Sequence, residues 1–237
     1  MNDIKLYNCD CLEVVRKLPR DKCVIVTDQP FNVNYHYDSY NDNMKESDYY
    51  EWLYDVFNGF PLVCVHYPEA LYKISFQLGL FPERVISWVY NSNTPRQHRD
   101  IAFFGIKPDL SKVRQDYKNL NDKRIQKRIM DGRGSKLYDW WNVNQVKNVS
   151  SEKTEHPCQM PLRVMLNIIG VLPDDYVVVD PFMGSGTTGV ACKVLKRDFV
   201  GVEIDRKYFD IACQRINNGF AQKEITENEL NSFPIFL

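Results

Sequence analysis

A chain of 237 residues, 44% hydrophobic and 26% charged, has the makeup of a soluble globular protein with room for one α/β domain and an insertion. No apolar run approaches the roughly 18 residues of a membrane span, and the opening MNDIKLYNCD lacks a signal peptide's features, so a cytoplasmic protein is expected. Net charge is −1, which alone calls for no polyanionic partner. Seven cysteines without a C-x-x-C pair read as reduced thiols, and four scattered histidines (His36, His66, His98, His156) make no metal site, so none is expected.

In chain order, 4–7 and 24–27 read as short buried strands, joined by a helical turn through 11–18 that Pro19 ends. Ser47 is placed to cap a helix running to about Phe60, with acids near its start that suit the helix dipole. Apolar, β-rich runs follow at 61–66 and 84–90 with a helix between them, and 101–106 is a further strand. From 107 to 149 the pattern turns polar, basic and irregular. Residues 107–136 hold ten Lys or Arg against four Asp, so this stretch carries +6 and the rest of the chain −7. A solvated face explains an isolated charge run, but this concentration in an otherwise acidic protein favours a nucleic-acid contact. Lys123, Arg124, Lys127 and Arg128 are its candidate nucleic-acid-binding residues, with Tyr138, Trp140 and Trp141 behind them as core or stacking aromatics. A helix at 161–170, strands at 177–180 and 199–202 with a helix between, and a final helix from Arg206 complete an α/β pattern of strands covered on both faces. The apolar end at 233–237 is expected to pack against the protein.

The strand at 177–180 ends on Asp180 and runs through Pro181, Phe182 and Met183 into Gly184-x-Gly186-x-x-Gly189, and the next strand ends on Glu203. Glycines let a ligand approach the backbone, and an acid closing the next strand can take both hydroxyls of a ribose. A dinucleotide fits poorly, because Asp180 places a carboxylate where a pyrophosphate needs neutral donors. Few residues remain after Glu203 for the further βα units of that fold. S-adenosylmethionine has an ammonium, a ribose and no phosphate, and fits better. The missing strands then come from the first half, where a strand ends on Asp28, Gln29, Pro30 and Phe31.

Asp28-Gln29-Pro30-Phe31-Asn32, His156-Pro157-Cys158-Gln159-Met160-Pro161, Asp180-Pro181-Phe182-Met183-Gly184-Ser185-Gly186-Thr187-Thr188 and Gly201-Val202-Glu203-Ile204-Asp205, in this order, resemble the β-class DNA amino-methyltransferases. These are the permuted adenine-N6 and cytosine-N4 enzymes, whose catalytic region precedes the cofactor region. The resemblance spans 6–216 and is thinnest over 107–136. It implies a Rossmann-like methyltransferase fold with a mostly parallel sheet, in a single catalytic domain over 1–237 whose basic insertion, 107–149, reads the DNA target. It assigns Asp180, Phe182, Gly184, Ser185, Gly186 and Thr187 to the methionine end of S-adenosylmethionine and Glu203 to its ribose. Asp10 and Cys11 go to its adenine, and His156, Pro157 and Gln159 to the segment closing over its methionine moiety. Asp28, Gln29, Pro30 and Phe31 become the catalytic set acting on a base in double-stranded DNA, adenine N6 ahead of cytosine N4. The expected setting is a bacterial or phage-infected cell. A homodimer and a restriction partner are compatible with the resemblance, which fixes neither.

One departure bears on activity. The family's tetrapeptide is Asp/Asn/Ser-Pro-Pro-Tyr/Phe/Trp, and Gln29 stands where the first proline is usual. The resemblance makes the Asp28 side chain and the main-chain carbonyl of residue 29 the two acceptors that orient the target amine. Gln29 keeps the carbonyl and loses the rigid ring, and about 1 Å of misplacement can cost roughly a hundredfold in rate. The alternatives are therefore a DNA- and cofactor-binding protein weakened in catalysis, or a methyltransferase acting on RNA or a small molecule.

Overall fold

The computed structural model describes residues 2–35, 42–148 and 150–218; the apolar end at 233–237 and His36 lie outside them. β1 (Ile4–Tyr7) leads to α1 (Cys11–Val15), which Asp10 caps by accepting the Leu12 N–H at 2.8 Å. β2 (Cys23–Thr27) is followed by α2 (Glu46–Phe57). Ser47 does not cap that helix: it lies inside the first turn, its hydroxyl bonded to the Asp48 carboxylate. The negative charge of Glu46 and Asp48 favours this helix end without a side-chain cap. β3 (Leu62–His66) precedes α3 (Pro68–Leu78), which starts on a proline and closes at Gly79 in the left-handed conformation. β4 (Arg84–Val89) and β5 (His98–Phe104) form an antiparallel pair, β5 beginning earlier than its apolar core suggests.

In the basic segment, β6 (Arg114–Gln115) and β7 (Ser135–Lys136) make a small ribbon flanking α4 (Lys123–Met130), which buries no residue. The segment is tied down at its ends. Val113, Leu137 and Trp141 are buried in the core, and β8 (Trp140–Asn142) joins the main sheet beside β4. Trp141 is therefore a core residue, while Trp140 is exposed with the Lys118 ammonium 4.9 Å from its ring centre. α5 (Leu162–Gly170), β9 (Val177–Asp180), α6 (Thr187–Val194), β10 (Phe199–Val202) and α7 (Arg206–Asn218) complete the chain.

The eight-stranded sheet runs β1-β10-β9-β2-β3-β5-β4-β8, and β5 alone among these strands is antiparallel to its neighbours. β2 and β3 are buried along their whole length. Alternate residues explain why: Val24 and Val26 face a core with α5, α6 and α7, whereas Cys23 and Ile25 face one with α1, α2 and α3. Each fully buried side chain, such as Leu53 or Phe57 of α2, contributes about 1.5–3 kcal/mol. No described helix is long and apolar enough to cross a membrane.

The order also explains the site. β9 pairs with β2 although about 150 residues separate them, with Val24 beside Val178 and Ile25 beside Val179. From this central pair the chain continues outward in opposite directions, β2 toward β3 and β9 toward β10. A crevice opens at such a switch point, beyond the carboxyl ends of the strands.

Candidate active site

A cavity of about 450 Å³ lies in that crevice. Its walls are the segments leaving four parallel strands: 9–11 after β1, 28–31 after β2, 181–182 after β9 and 203–204 after β10. Tyr67, Trp52, Arg99 and Tyr208 close it from the flanking elements. A smaller cavity of about 40 Å³ lies against Asp180, Ser185 and Thr187, and the two share Asp28, His156, Cys158 and Phe182 as lining residues. The two halves of the sequence motif set thus meet in one cleft.

On the β9 side, the Asp180 carboxylate is buried and accepts from Thr27 Oγ1 (2.8 Å), the Phe182 N–H (3.1 Å) and Thr188 Oγ1 (2.5 Å). It ties the end of β2 to the glycine loop. Burial pushes its pKa up to about 6 against these bonds. Gly184 and Gly186 both have positive φ, 51° and 79°. A Cβ on Gly184 would lie 2.8 Å from His156 Nε2, and one on Gly186 2.8 Å from the Ala212 Cβ, so neither position admits a side chain. From α7, Arg215 Nη1 donates to Ser185 O (2.8 Å), Ser185 Oγ (3.1 Å) and Thr187 Oγ1 (3.0 Å), bracing the loop.

Glu203 lines the larger cavity, its Oε2 accepting the Gly184 N–H (2.9 Å) and its Oε1 the Asp205 N–H (2.8 Å). Burial outweighs these bonds and raises its pKa to about 7. Asp10 lines the same cavity while capping α1, and burial raises the Cys11 thiol to about 12. His156 packs edge-on against Tyr208 at 4.5 Å, and burial, then Lys153 and Arg215, hold its pKa down to about 4, so the ring is neutral. Gln159 holds its own loop, accepting from Thr154 N and Oγ1 and donating to Glu152 O. Pro157 lines neither cavity, whereas its neighbour Cys158 lines both.

On the β2 side all four residues of the tetrapeptide reach the larger cavity. Asp28 Oδ2 lies 3.6 Å from Arg99 Nη1, and Oδ1 is buried without a hydrogen-bond partner among the described residues. Burial raises the Asp28 pKa to about 6, with Arg99 opposing and Asp180 reinforcing the shift. The Gln29 side chain is buried and donates through Nε2 to Val65 O at the end of β3 (3.3 Å), an anchor where a proline ring would supply stiffness. Pro30 O accepts from the Tyr49 hydroxyl (2.6 Å). The Phe31 ring stacks on His66 at 4.0 Å and 17°, with Tyr67 edge-on at 5.2 Å. Burial, then Arg99, holds His66 near a pKa of about 3, so a neutral ring backs Phe31. Lys123, Arg124, Lys127 and Arg128 stand on α4, outside both cavities. Arg99, His66, Tyr67, Trp52 and Cys158 are site residues that sequence reasoning missed. Among the described residues no cluster of three or more His, Cys, Asp or Glu is placed to hold a metal.

Comparison with known proteins fits this geometry. A family model described as DNA methylase, of the N6/N4 type, matches residues 67–214. The chain belongs to this family. The type II methyltransferase M.HpaI of Haemophilus parainfluenzae is 26% identical over 92% of this chain and 76% of its own length. The DNA adenine methyltransferase YhdJ of Escherichia coli K12 is 25% identical over 88% of this chain and 81% of its own. The crystal structure of the M1.HpyAVI-SAM complex superposes with a TM-score of 0.59 at 28% identity, covering 90% of this chain and 99% of that one. The M1.HpyAVI structure shares the mostly parallel α/β fold seen here, and the expected Rossmann-like methyltransferase fold class holds.

Proposed function

We propose that this cleft transfers a methyl group from S-adenosylmethionine to the exocyclic amine of a base turned out of duplex DNA, with adenine N6 as the target. The observation that carries this reading is the meeting of Asp28 and Phe31 with the glycine loop and Glu203 across the β2–β9 pair. The residues suit the cofactor. Glu203 presents a carboxylate to the larger cavity for a ribose diol, and the buried Asp180 carboxylate lines the smaller one, where it can meet an ammonium group. The loop at 184–187 with Asp180 and Phe182 would hold the methionine end, and Asp10 with Cys11 the adenine. Bound there, S-adenosylmethionine supplies an electrophilic methyl group. The name of the M1.HpyAVI-SAM complex supports this cofactor, and that of YhdJ supports adenine.

The chain's own groups then orient the amine. An exocyclic amine loses electron density to its ring and is a poor nucleophile. Asp28 Oδ1 and the Gln29 carbonyl accept its two N–H groups, which favours a tetrahedral nitrogen with its lone pair free, and the Asp28 carboxylate stabilises the positive charge that develops there. Phe31, stacked on neutral His66 and lining the larger cavity, is placed to contact the base. Unstacking the base costs a few kcal/mol, which contacts elsewhere must offset. The exposed cations of α4 and the rest of 107–149 are the proposed target-recognition region. Neutralising Lys123, Arg124, Lys127 and Arg128 together should weaken DNA binding about tenfold at moderate salt and flatten its salt dependence. Fluorescence anisotropy over a salt series measures this, and unchanged binding would reduce α4 to a solvated face.

Because Gln29 is anchored to Val65 O, its carbonyl keeps a defined position. Gln29→Pro should preserve or raise turnover, and a large loss in a single-turnover assay would refute this account of the departure. The function as a whole is tested by mass spectrometry of nucleosides from a methylation-deficient host expressing this chain. N6-methyladenine in DNA is the expected product. N4-methylcytosine would correct the base, a methylated nucleoside in RNA would correct the substrate, and no product in either would favour the weakened binding protein.

A further inference from the structure

We infer that Arg99 is a positioning residue for methyl transfer: its guanidinium engages Oδ2 of Asp28 and leaves Oδ1 as the acceptor for the target amine. The inference rests on the reaction proposed above and assigns a role to a residue outside the recognised motifs. Its origin is the reversed strand. Since β5 runs against its neighbours, its first residues, not its last, arrive at the edge where β2 and β9 end. Asp100 pairs with His66, the last residue of β3, so Arg99 projects one step beyond that strand, opposite Trp88 of β4.

The side chain is then held on several sides. Its guanidinium carbon lies 4.7 Å from the Phe31 ring centre, 5.5 Å from that of Trp88 and 5.8 Å from that of Tyr67. Only 17% of the side chain is exposed, and 13% of that of Asp28. A charge so enclosed needs a counter-charge, and among the described residues its ion pair is with Asp28. Aromatic faces restrict the plane of the guanidinium, and through the 3.6 Å contact they restrict the carboxylate. Oδ2 has the guanidinium at 3.6 Å, an ion pair beyond hydrogen-bond length, and Oδ1 has no hydrogen-bond partner among the described residues. That asymmetry is what an acceptor for one N–H requires.

The electrostatic surroundings agree. Asp28 faces Asp180 from β9, Cys64 from β3 and Tyr90 after β4, and Arg99 from β5 is the one cation among these described groups. Arg99 itself faces Tyr67, Tyr90, Cys158 and the neutral His66. Without the guanidinium, a second buried carboxylate nearby would drive Asp28 toward its protonated form, in which the oxygen bearing the proton becomes a donor facing another donor.

The test compares Arg99→Met, Arg99→Lys and the native chain, with Arg99→Gln as the neutral variant should Arg99→Met not fold. Asp28 is followed by ¹³C carboxyl NMR titration, its signal identified by its loss in Asp28→Asn, and single-turnover DNA methylation is measured across pH. In the neutral variant the Asp28 midpoint should rise by about one pH unit or more, the acid limb of the rate profile should rise with it, and Arg99→Lys should restore both toward the native position. At pH 7 a one-unit rise alone would cost about twofold in ionised Asp28, and the loss of carboxylate orientation should take the total fall to about tenfold. An unmoved Asp28 midpoint, or a rate loss equal at every pH, would overturn the inference and leave Arg99 a packing residue. A native chain that methylates no DNA would sink the proposed activity instead, and the Asp28 titration would still decide the effect of Arg99 on it.

Discussion

Asp28→Ala is expected to lower the single-turnover rate of DNA methylation by about a hundred- to a thousandfold, the range found when one preorganised polar group is removed from a developing charge. The binding of S-adenosylmethionine should change little, because the cofactor-holding groups proposed above, the loop with Asp180 and Phe182, Glu203, Asp10 and Cys11, do not include Asp28. The arithmetic rests on differential stabilisation: the Asp28 carboxylate interacts more strongly with the amine as positive charge grows on nitrogen than it does in the ground state. The pH dependence has a definite sign. Asp28 works as an acceptor when ionised, and its pKa lies near 6, so the native rate should rise with pH through about 6 and then level off. Asp28→Asn keeps a carbonyl oxygen and should retain more activity than Asp28→Ala, without that acid limb. Both variants leave the enclosed Arg99 guanidinium without its ion-pair partner, so rates must be read where melting curves show the protein folded. A rate unchanged in Asp28→Ala would remove this residue from the reaction.

The parts of this site that could be read from the chain are those whose chemistry is local. Gly184 and Gly186 have to be glycines because of their own backbone angles and the close approach of His156 and Ala212, and a short-range pattern records that need. Glu203 ends its strand and reaches back to a loop only 19 residues away, so motif spacing located it. Arg99 left no such trace. Its contact with Asp28 depends on β5 running backwards, and an apolar strand looks the same in either direction. His66 and Trp52 are similar: one ends a buried strand and backs Phe31, the other lies on an amphipathic helix and lines the cleft, and each place follows only once the sheet order is known. Ser47 failed for the opposite reason. A local capping signal is present, but the helix begins one residue earlier, at Glu46, with Lys45 in the cap position and no side-chain cap. The basic segment was legible as charge, while its anchoring through Val113, Leu137 and Trp141 came from apolar residues spaced too irregularly to announce a strand.

Glu203→Ala should weaken S-adenosylmethionine binding by about ten- to a hundredfold, since hydrogen bonds to a charged partner contribute about 1.5–3 kcal/mol. Two losses combine in that change: the acceptor for the ribose hydroxyls, and the carboxylate that holds the Gly184 and Asp205 N–H groups in place. Glu203→Gln separates them, because its amide oxygen can keep one backbone bond without the charge. Ligand hydroxyls donate to the ionised carboxylate and so favour it, which makes the native affinity rise with pH through about 7, the pKa of Glu203 in the free protein. Calorimetry across that range should show a pH-dependent affinity for the native chain and a flatter one for Glu203→Gln. Stability without cofactor moves the other way. With its folded pKa above the ordinary 4.5, Glu203 binds more protons in the native than in the unfolded state between about pH 4.5 and 7, so its contribution to stability falls as pH rises through that window. Asp28 and Asp180, each raised to about 6, act in the same direction. Cofactor binding should therefore raise the melting temperature more at pH 8 than at pH 5.5, by drawing on an ionised carboxylate that the free protein holds at a cost. An affinity indifferent both to pH and to the loss of Glu203 would leave that residue a backbone cap alone.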